Sequence, residues 1–482
     1  MRFIAAITIA LSSLLMVAQA QTKVELLPEV KALLEVQVPD DAAMKRNAYV
    51  AAWGLDAPKG EDYMAVGAQM VRQEFTFLQK IIEQMDYEAG EYHGLDYYVT
   101  GELLRPDFKV DGVAYKHPCE KMDPQGCIDE TLAQQAVIEE LLQRGSNAVI
   151  MERYLEMQKL PELHSYMFSV ASPLPPMQNW VMAERMRMAR ATLAFYVGEA
   201  DIGFQFLQEE VDFAKKVISG DSILIAQMIA IRQLARVYML VNALMDEPFF
   251  KQYLHDPRLS ALLQPLTLEE EKGKAQALEN ECLGMIYLMY ALDVAKDSRW
   301  KNEPLYQATA SVFYDNQMSA NVAYLRCEPV VQRAALPLAQ VSEMYVNNEM
   351  SPLMDLQQGV IKQQFASARE NGEAFNPIGK ILLDYAIWDY EIYLDRIYGV
   401  QIYLEMLSVK QGLLKEGVQK GDVAAYLERT GARNLFTQEP LQWDAESGCL
   451  STSVEALEKE GIMRIFEANE NNSELYVCVD LE

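Results

Sequence analysis

Histidine is scarce in this chain: four in 482 residues, at His93, His117, His164 and His255, with no two four positions apart. There is no H-E-x-x-H, G-x-S-x-G, S-x-x-K site or C-x-x-C, and no glycine-rich phosphate loop. Metal-dependent hydrolysis, serine nucleophiles and nucleotide binding thus have no sequence signature here. Basic residues are also short, with 42 Lys and Arg against 70 Asp and Glu and a net charge of −28. Such a chain has little with which to neutralise a run of phosphates, which argues against nucleic acid and against docking on anionic lipid. Glycine (24) and proline (19) are too few for collagen or low-complexity sequence. Half of the residues are hydrophobic, enough for a large packed core.

The first twenty residues read as a secretory leader. Arg2 is followed by an apolar stretch from Phe3 to Val17, and Ala18-Gln19-Ala20 places small residues at the cleavage positions. Gln21 would then begin the mature chain; a lipoprotein would need cysteine there. The expected location is periplasmic or extracellular. The most apolar later run, Ile223 to Met245, carries Arg232 and Arg236 near its middle and reads as a buried helix, so no transmembrane segment is expected after cleavage.

In an exported chain six cysteines read first as disulfides. Six allow fifteen pairings, but the spacing favours neighbours: Cys119 with Cys127 around a loop, Cys282 with Cys327 between helical regions, and Cys449 with Cys478 across the C-terminal segment. Cys282 lies in an apolar helix, so a free buried thiol is its alternative. His117, Cys119, Cys127 and His93 form the one combination resembling zinc ligands, against which the lone C-x7-C spacing favours a disulfide. Neither a cofactor nor a metal is expected.

Helical periodicity dominates the chain. Val71, Phe75, Leu78, Ile82 and Met85 draw one apolar stripe, and Asp129–Gln143 repeats the pattern with Leu132, Val137, Leu141 and Leu142 inward. Thr267 and Glu270 form a capping box for a helix through about Ala295, and further helices are expected over roughly 301–370 and 378–416. Breaks fall at Gly145-Ser146, Ser172–Pro176, Gly220-Asp221 and Asn371-Gly372. Trp180–Tyr196 and Ala200–Ile218, joined by Val197-Gly198-Glu199, read as a helical hairpin similar to the unit of tetratricopeptide-like solenoids. No 34-residue period follows, which leaves a solenoid and an irregular bundle both open. Residues 88–128, with Tyr92, Tyr97 and Tyr98, look partly extended. Strands are expected at Leu441–Asp444, Cys449–Val454, Met463–Phe466 and Leu475–Val479. The expected fold is therefore mainly α, an irregular helical-hairpin array or bundle with a small disulfide-tied β segment. Its segments are an N-terminal helical module (21–145), a central helical array (146–431) and a strand-containing cap (432–482).

Several phrases resemble uncharacterised exported, mostly helical proteins of proteobacteria. They are Asn47–Pro58 with Gly60-Glu61-Asp62 and Gly67, Glu152-Arg153-Tyr154, Pro173–Pro176 with the hairpin after it, and Phe375–Lys380. Leu435–Asp444 is similar to a degenerate D-P-F-[ST]-G-[KQ]-P-L-x-[YW] module, with Asn434-Leu435 in place of Asp-Pro and Gln438 in place of Gly. The resemblance implies fold and compartment and transfers no catalytic residue. The phrases also have structural readings, Asn376 as a cap before Pro377 and Gly54 with Ala57-Pro58 as a helix stop and turn.

Three clusters remain as candidates. Met182, Met186 and Met188 resemble a Cu(I) site, against which core packing is favoured. Seventy carboxylates make close pairs uninformative, although glycoside hydrolysis on a helical scaffold needs only two facing a cleft. Arg232 and Arg236 stand one turn apart beside a hairpin bearing Arg185, Arg187 and Arg190. Ion pairing with neighbouring carboxylates is the first reading there, and an anion-binding groove the sharper one. The function expected is binding or assembly with a protein partner in the cell envelope, with a carboxylate-dependent glycan-processing enzyme as the alternative.

Overall fold

The computed structural model describes residues 25–35, 39–84, 103–110, 113–115, 118–119, 123–166, 174–291, 314–347, 391–455 and 474–481, with isolated positions between 457 and 466. The leader, His93, His117, the tyrosines at 92–98 and the Phe375–Lys380 phrase lie outside the described residues. Among those residues the chain is mainly helical, with a two-stranded ribbon and one three-stranded sheet.

The N-terminal third contains α1 (Pro28–Leu33), α2 (Asp41–Lys45), α3 (Ala48–Gly54), α4 (Tyr63–Gln84), the ribbon β1–β2 (Lys109–Val110, Val113–Ala114), α5 (Pro124–Ala133) and α6 (Gln135–Gln143). Asn47 caps α3, its Oδ1 accepting from Tyr49 N at 3.0 Å. α3 crosses α4 so closely that a Cβ on Gly67 would come within 2.0 Å of the Val50 carbonyl oxygen. Glycine is the residue that allows this approach. The single helix expected over Asp129–Gln143 is instead two, broken at Gln134, whose backbone leaves the helical region between α5 and α6. Leu141 and Leu142 are buried, while Leu132 and Val137 are only half-buried. Cys127 also sits within the first turn of α5, behind Pro124 at the helix start, so the bridge to Cys119 ties a helix rather than closing a free loop.

The middle comprises α7 (Gly145–Lys159), α8 (Met177–Tyr196), α9 (Ala200–Ser219), α10 (Leu224–Leu244), α11 (Pro257–Leu262), α12 (Leu268–Ala291), α13 (Asn316–Ala334) and α14 (Leu338–Val346). α8 and α9 form the expected hairpin; Gly198 takes a φ of +86° in the turn between them, a conformation L side chains rarely adopt. The capping box forms as read: Thr267 N donates to Glu270 Oε2 at 2.6 Å and Glu270 N to Thr267 Oγ1 at 3.2 Å.

α10 decides between the two architectures left open. Sixteen of its 21 residues are buried, and it packs against α5, α8, α9 and α12 and against the distant α15 (Glu391–Glu416). In a solenoid each repeat touches only its neighbours. This chain is therefore an irregular bundle around α10. The most apolar helix of the described residues is its core, apolar enough by composition to cross a membrane but enclosed by protein.

After α15 and α16 (Val423–Thr430), the strands β3 (Gln442–Asp444), β4 (Cys449–Ser453) and β5 (Glu474–Cys478) pair antiparallel in the order β3-β4-β5. Cys449 and Cys478 are register partners and are disulfide-bonded. Of the expected strand at Met463–Phe466, Met463 and Arg464 lie outside the described residues, and Phe466 N donates to the Ile462 carbonyl in a helical turn. Phe466 stacks on Tyr403 of α15 at 4.5 Å, so burial against a helix outweighs strand propensity there. One apolar cluster runs from Met44 to Val479, through all three expected segments.

Candidate functional site

The main concentration of buried charge joins four helices. Glu210 of α9 is fully buried and accepts four hydrogen bonds, from Tyr154 OH (2.6 Å), Gln158 Nε2 (3.0 Å), Arg187 Nε (3.1 Å) and Gln233 Nε2 (2.7 Å). Arg187 also pairs with Glu209, and its guanidinium lies 4.2 Å from the centre of the Phe206 ring. Trp180 Nε1 donates to Gln233 Oε1 at 3.0 Å. Burial pushes the Glu210 carboxyl up to about 7 despite the Arg187 charge, and pushes the Tyr154 phenol well up.

Arg236, one of the two arginines singled out above, belongs to this cluster. Its Nε donates to Glu184 Oε1 at 2.8 Å, while its Nη2 pairs with Glu184 Oε2, a bidentate fork between α10 and α8. Ion pairing is thus the outcome for Arg236, and the anion-binding groove is not formed there. The cavity beside it is about 20 Å³, walled by Met188, Met239 and the Cys119–Cys127 bridge, room for little more than one water. Arg232, one turn earlier, is exposed, so the two arginines are not brought to one site. Arg190 lies 3.5 Å from Glu139.

Chemically the cluster is a weld. Glu184 and Glu210 have no exposed surface, so a carboxyl of raised pKa is present but sealed from any substrate. Sequence reading singled out the arginines and missed these two acids. The signal was there for Glu210, which interrupts the apolar stripe Leu207, Val211, Ala214, Val217 at an inward position.

A second weld involves Arg153. Its Nη1 donates to the carbonyls of Ala57 (2.5 Å), Leu55 (3.3 Å) and Gly54 (3.4 Å), and its Nη2 to those of Pro58 (3.0 Å) and Glu61 (3.4 Å). Two of the phrases that carry the resemblance, Asn47–Pro58 and Glu152-Arg153-Tyr154, thereby meet in space for a structural reason. A third, the degenerate module, also has one: Asn434 Oδ1 accepts from Phe436 N (2.8 Å) and Thr437 N (3.0 Å), so Asn replaces Asp as the turn acceptor.

The methionines at 182, 186 and 188 are buried in the apolar core, as packing residues. All three cysteine pairs are neighbour disulfides, Cys282–Cys327 included, which removes the free-thiol alternative and the thiolates that a zinc site would need. Among the described residues no group of three or more His, Cys, Asp or Glu is placed to hold a metal.

Among the described residues a groove of about 650 Å³ is open to a ligand where α5 and α6 face the α8–α9 hairpin, walled by Leu132, Ala136, Leu193, Ile202 and Phe206. Exposed apolar side chains stand at its rim, Val197 at 52% and Ile202 at 39%, with Tyr196 (49%) alongside, interleaved with the polar Gln135 and Glu199. Arg190, Glu139 and Glu199 supply its charge. A more polar hollow of about 560 Å³ lies over β1, lined by the 103–109 segment, Tyr115 and Ser146. No family model, curated protein or solved structure matches this chain.

Proposed function

We propose that this chain is an exported binding or assembly factor of the cell envelope, and that the groove between α5–α6 and the α8–α9 hairpin receives a protein partner. The observation that carries this reading is the groove itself, an open concavity with exposed apolar side chains at its rim, whereas Glu184, Glu210, Arg187 and Arg236 are spent on one another inside the bundle. Apolar surface held open at a concave site favours a partner that covers it. The net charge of −28 favours a partner with basic flanks, through steering of the encounter. The apolar leader and three disulfides support an oxidising compartment outside the cytoplasm. The glycan-processing alternative would need carboxylates facing a cleft, and the raised Glu210 does not face one.

The test is in-cell photo-crosslinking from position 202, analysed under non-reducing conditions by mass spectrometry. One dominant envelope protein is expected, and Ile202→Glu introduced beside a probe at Val197 should abolish the product while leaving the circular dichroism spectrum unchanged. A clean monomer with no product, or a product indifferent to Ile202→Glu, would sink the reading.

A further inference from the structure

Away from the main core lies a second apolar cluster that no sequence feature announced. α12 and α13 run antiparallel, with Cys282 bonded to Cys327 toward one end and Asn316 Nδ2 donating to the Tyr290 carbonyl at 3.0 Å toward the other. The groove between them is walled by Met285, Met289, Met318, Val322 and Ala323, and the buried residues of this cluster are separate from those of the main one. What fills it is the chain's own segment 25–35. Val30 of α1 is fully buried in it, with Leu26, Leu27, Leu33 and Leu34 packed around. Glu29, Lys31 and Glu35 face outward.

The backbone of that segment is held as a ligand is held. Asn321, itself only 6% exposed, uses both ends of its amide: Oδ1 accepts from Leu27 N and Nδ2 donates to the Glu25 carbonyl, each at 2.9 Å. Tyr287 OH donates to the Leu33 carbonyl at 2.7 Å. A side-chain amide clamping alternate backbone groups, followed by apolar anchors every three or four residues along about two helical turns, is helix-in-groove recognition. The walls suit this use, since methionine side chains reshape around different anchors and recur at adaptable binding surfaces. The Cys282–Cys327 bridge holds the two walls together independently of what lies between them.

We propose that the α12–α13 groove is a docking site for a short amphipathic helix of a partner protein, and that residues 25–35 occupy it as a tethered competitor. The partner segment that fits has an extended lead of two residues for the Asn321 clamp, then Leu, Val and Leu anchors spaced like Leu27, Val30 and Leu34. A tethered occupant acts at an effective concentration of roughly millimolar. A partner must exceed that, or bind when the strap is released. This inference does not rest on the groove at α8–α9.

The test uses the full chain and a dye-labelled peptide with the sequence of residues 25–35, read by fluorescence anisotropy. The Val30→Asp chain, whose own strap is ejected, should bind the peptide at least tenfold more tightly than the native chain. Adding Asn321→Ala should weaken that binding at least tenfold, and a peptide carrying the Val30→Asp change should not bind. Because Val30→Asp could disturb folding, a second version keeps the native residues and cuts a protease site inserted after Glu35 in the folded protein. The cut chain should exchange its strap for the labelled peptide. The proposal is overturned if the well-folded Val30→Asp chain ignores the peptide. It is likewise overturned if the cut chain loses its cooperative melt, which would make the strap part of the core. A native chain that dimerises with concentration, and loses the dimer on Val30→Asp, would assign the groove to a second copy and overturn the partner reading.

Discussion

The two apolar clusters of this molecule are held together by different chemistry. In the main one, helices α7 to α10 are joined through Tyr154, Glu184, Glu210, Arg187, Arg236 and Gln233, buried side chain to buried side chain. In the smaller one, α12 and α13 are joined by a covalent bridge, and the third element is held through its backbone by Asn321 and Tyr287. Charges buried against each other fix one arrangement, because any slip leaves an unpaired ion in a low dielectric. Amide clamps on a backbone tolerate a change of sequence in what they hold. The first region is built for permanence and the second for exchange.

Breaking the charged weld should give the largest effect. Glu184→Ala leaves the Arg236 guanidinium buried without its fork, and a loss of about 3–5 kcal/mol is expected for such a half-broken pair. Urea unfolding followed by circular dichroism measures it; a loss below about 1 kcal/mol would mean that water reaches the site. Replacing both Cys282 and Cys327 by alanine should cost about 4 kcal/mol by the loop-entropy estimate for a separation of 45 residues. That loss should be accompanied by faster amide exchange in α12 and α13 but not in α8–α10, which hydrogen exchange with mass spectrometry resolves.

The third prediction concerns pH. Glu210 titrates near 7 in the folded chain against 4.5 ordinarily, so folding takes up a proton between those values. Stability from this group is therefore fully present below about pH 4.5 and is lost as pH rises through 7, by up to about 3 kcal/mol at one pK unit per 1.36 kcal/mol. The Glu210→Gln chain should lack that slope, and the difference between the two melting curves at pH 5 and pH 8 tests it. If the two run parallel, the donors around Glu210 hold it ionised throughout. The smallest effect is expected at the C-terminal cap, where Asn434→Ala removes the turn acceptor of Phe436 and Thr437 and should cost about 1–2 kcal/mol, read as a lowered melting temperature.

Sequence pattern located the helices well where one face is apolar, as in α4 and α9, and located the α8–α9 turn through Gly198 and the α12 start through Thr267 and Glu270. These are local signals, set by residues within a turn or two of each other. The terminal sheet was legible for the same reason, apart from Phe466, where packing on Tyr403 outweighs propensity. The charged weld was only half legible. Arg236 stood out on an apolar helix, but its partner Glu184 is 52 residues away and no periodicity links them. The strap on α12 and α13 was not legible at all, since its clamp residue Asn321 is 294 positions from Leu27.

The Arg153 fork bears on the order in which the molecule is assembled. The corner between α3 and α4 presents five carbonyls to one guanidinium, and the most distant in sequence, that of Gly54, precedes it by 99 residues. Because the chain emerges N-terminus first, that corner waits for a closing residue 99 positions behind its first carbonyl. The chain therefore carries its own delay. Its first helices emerge early, yet the five carbonyls between them meet their shared donor only when a residue from well behind them arrives, and a fragment ending before Arg153 would lack that donor.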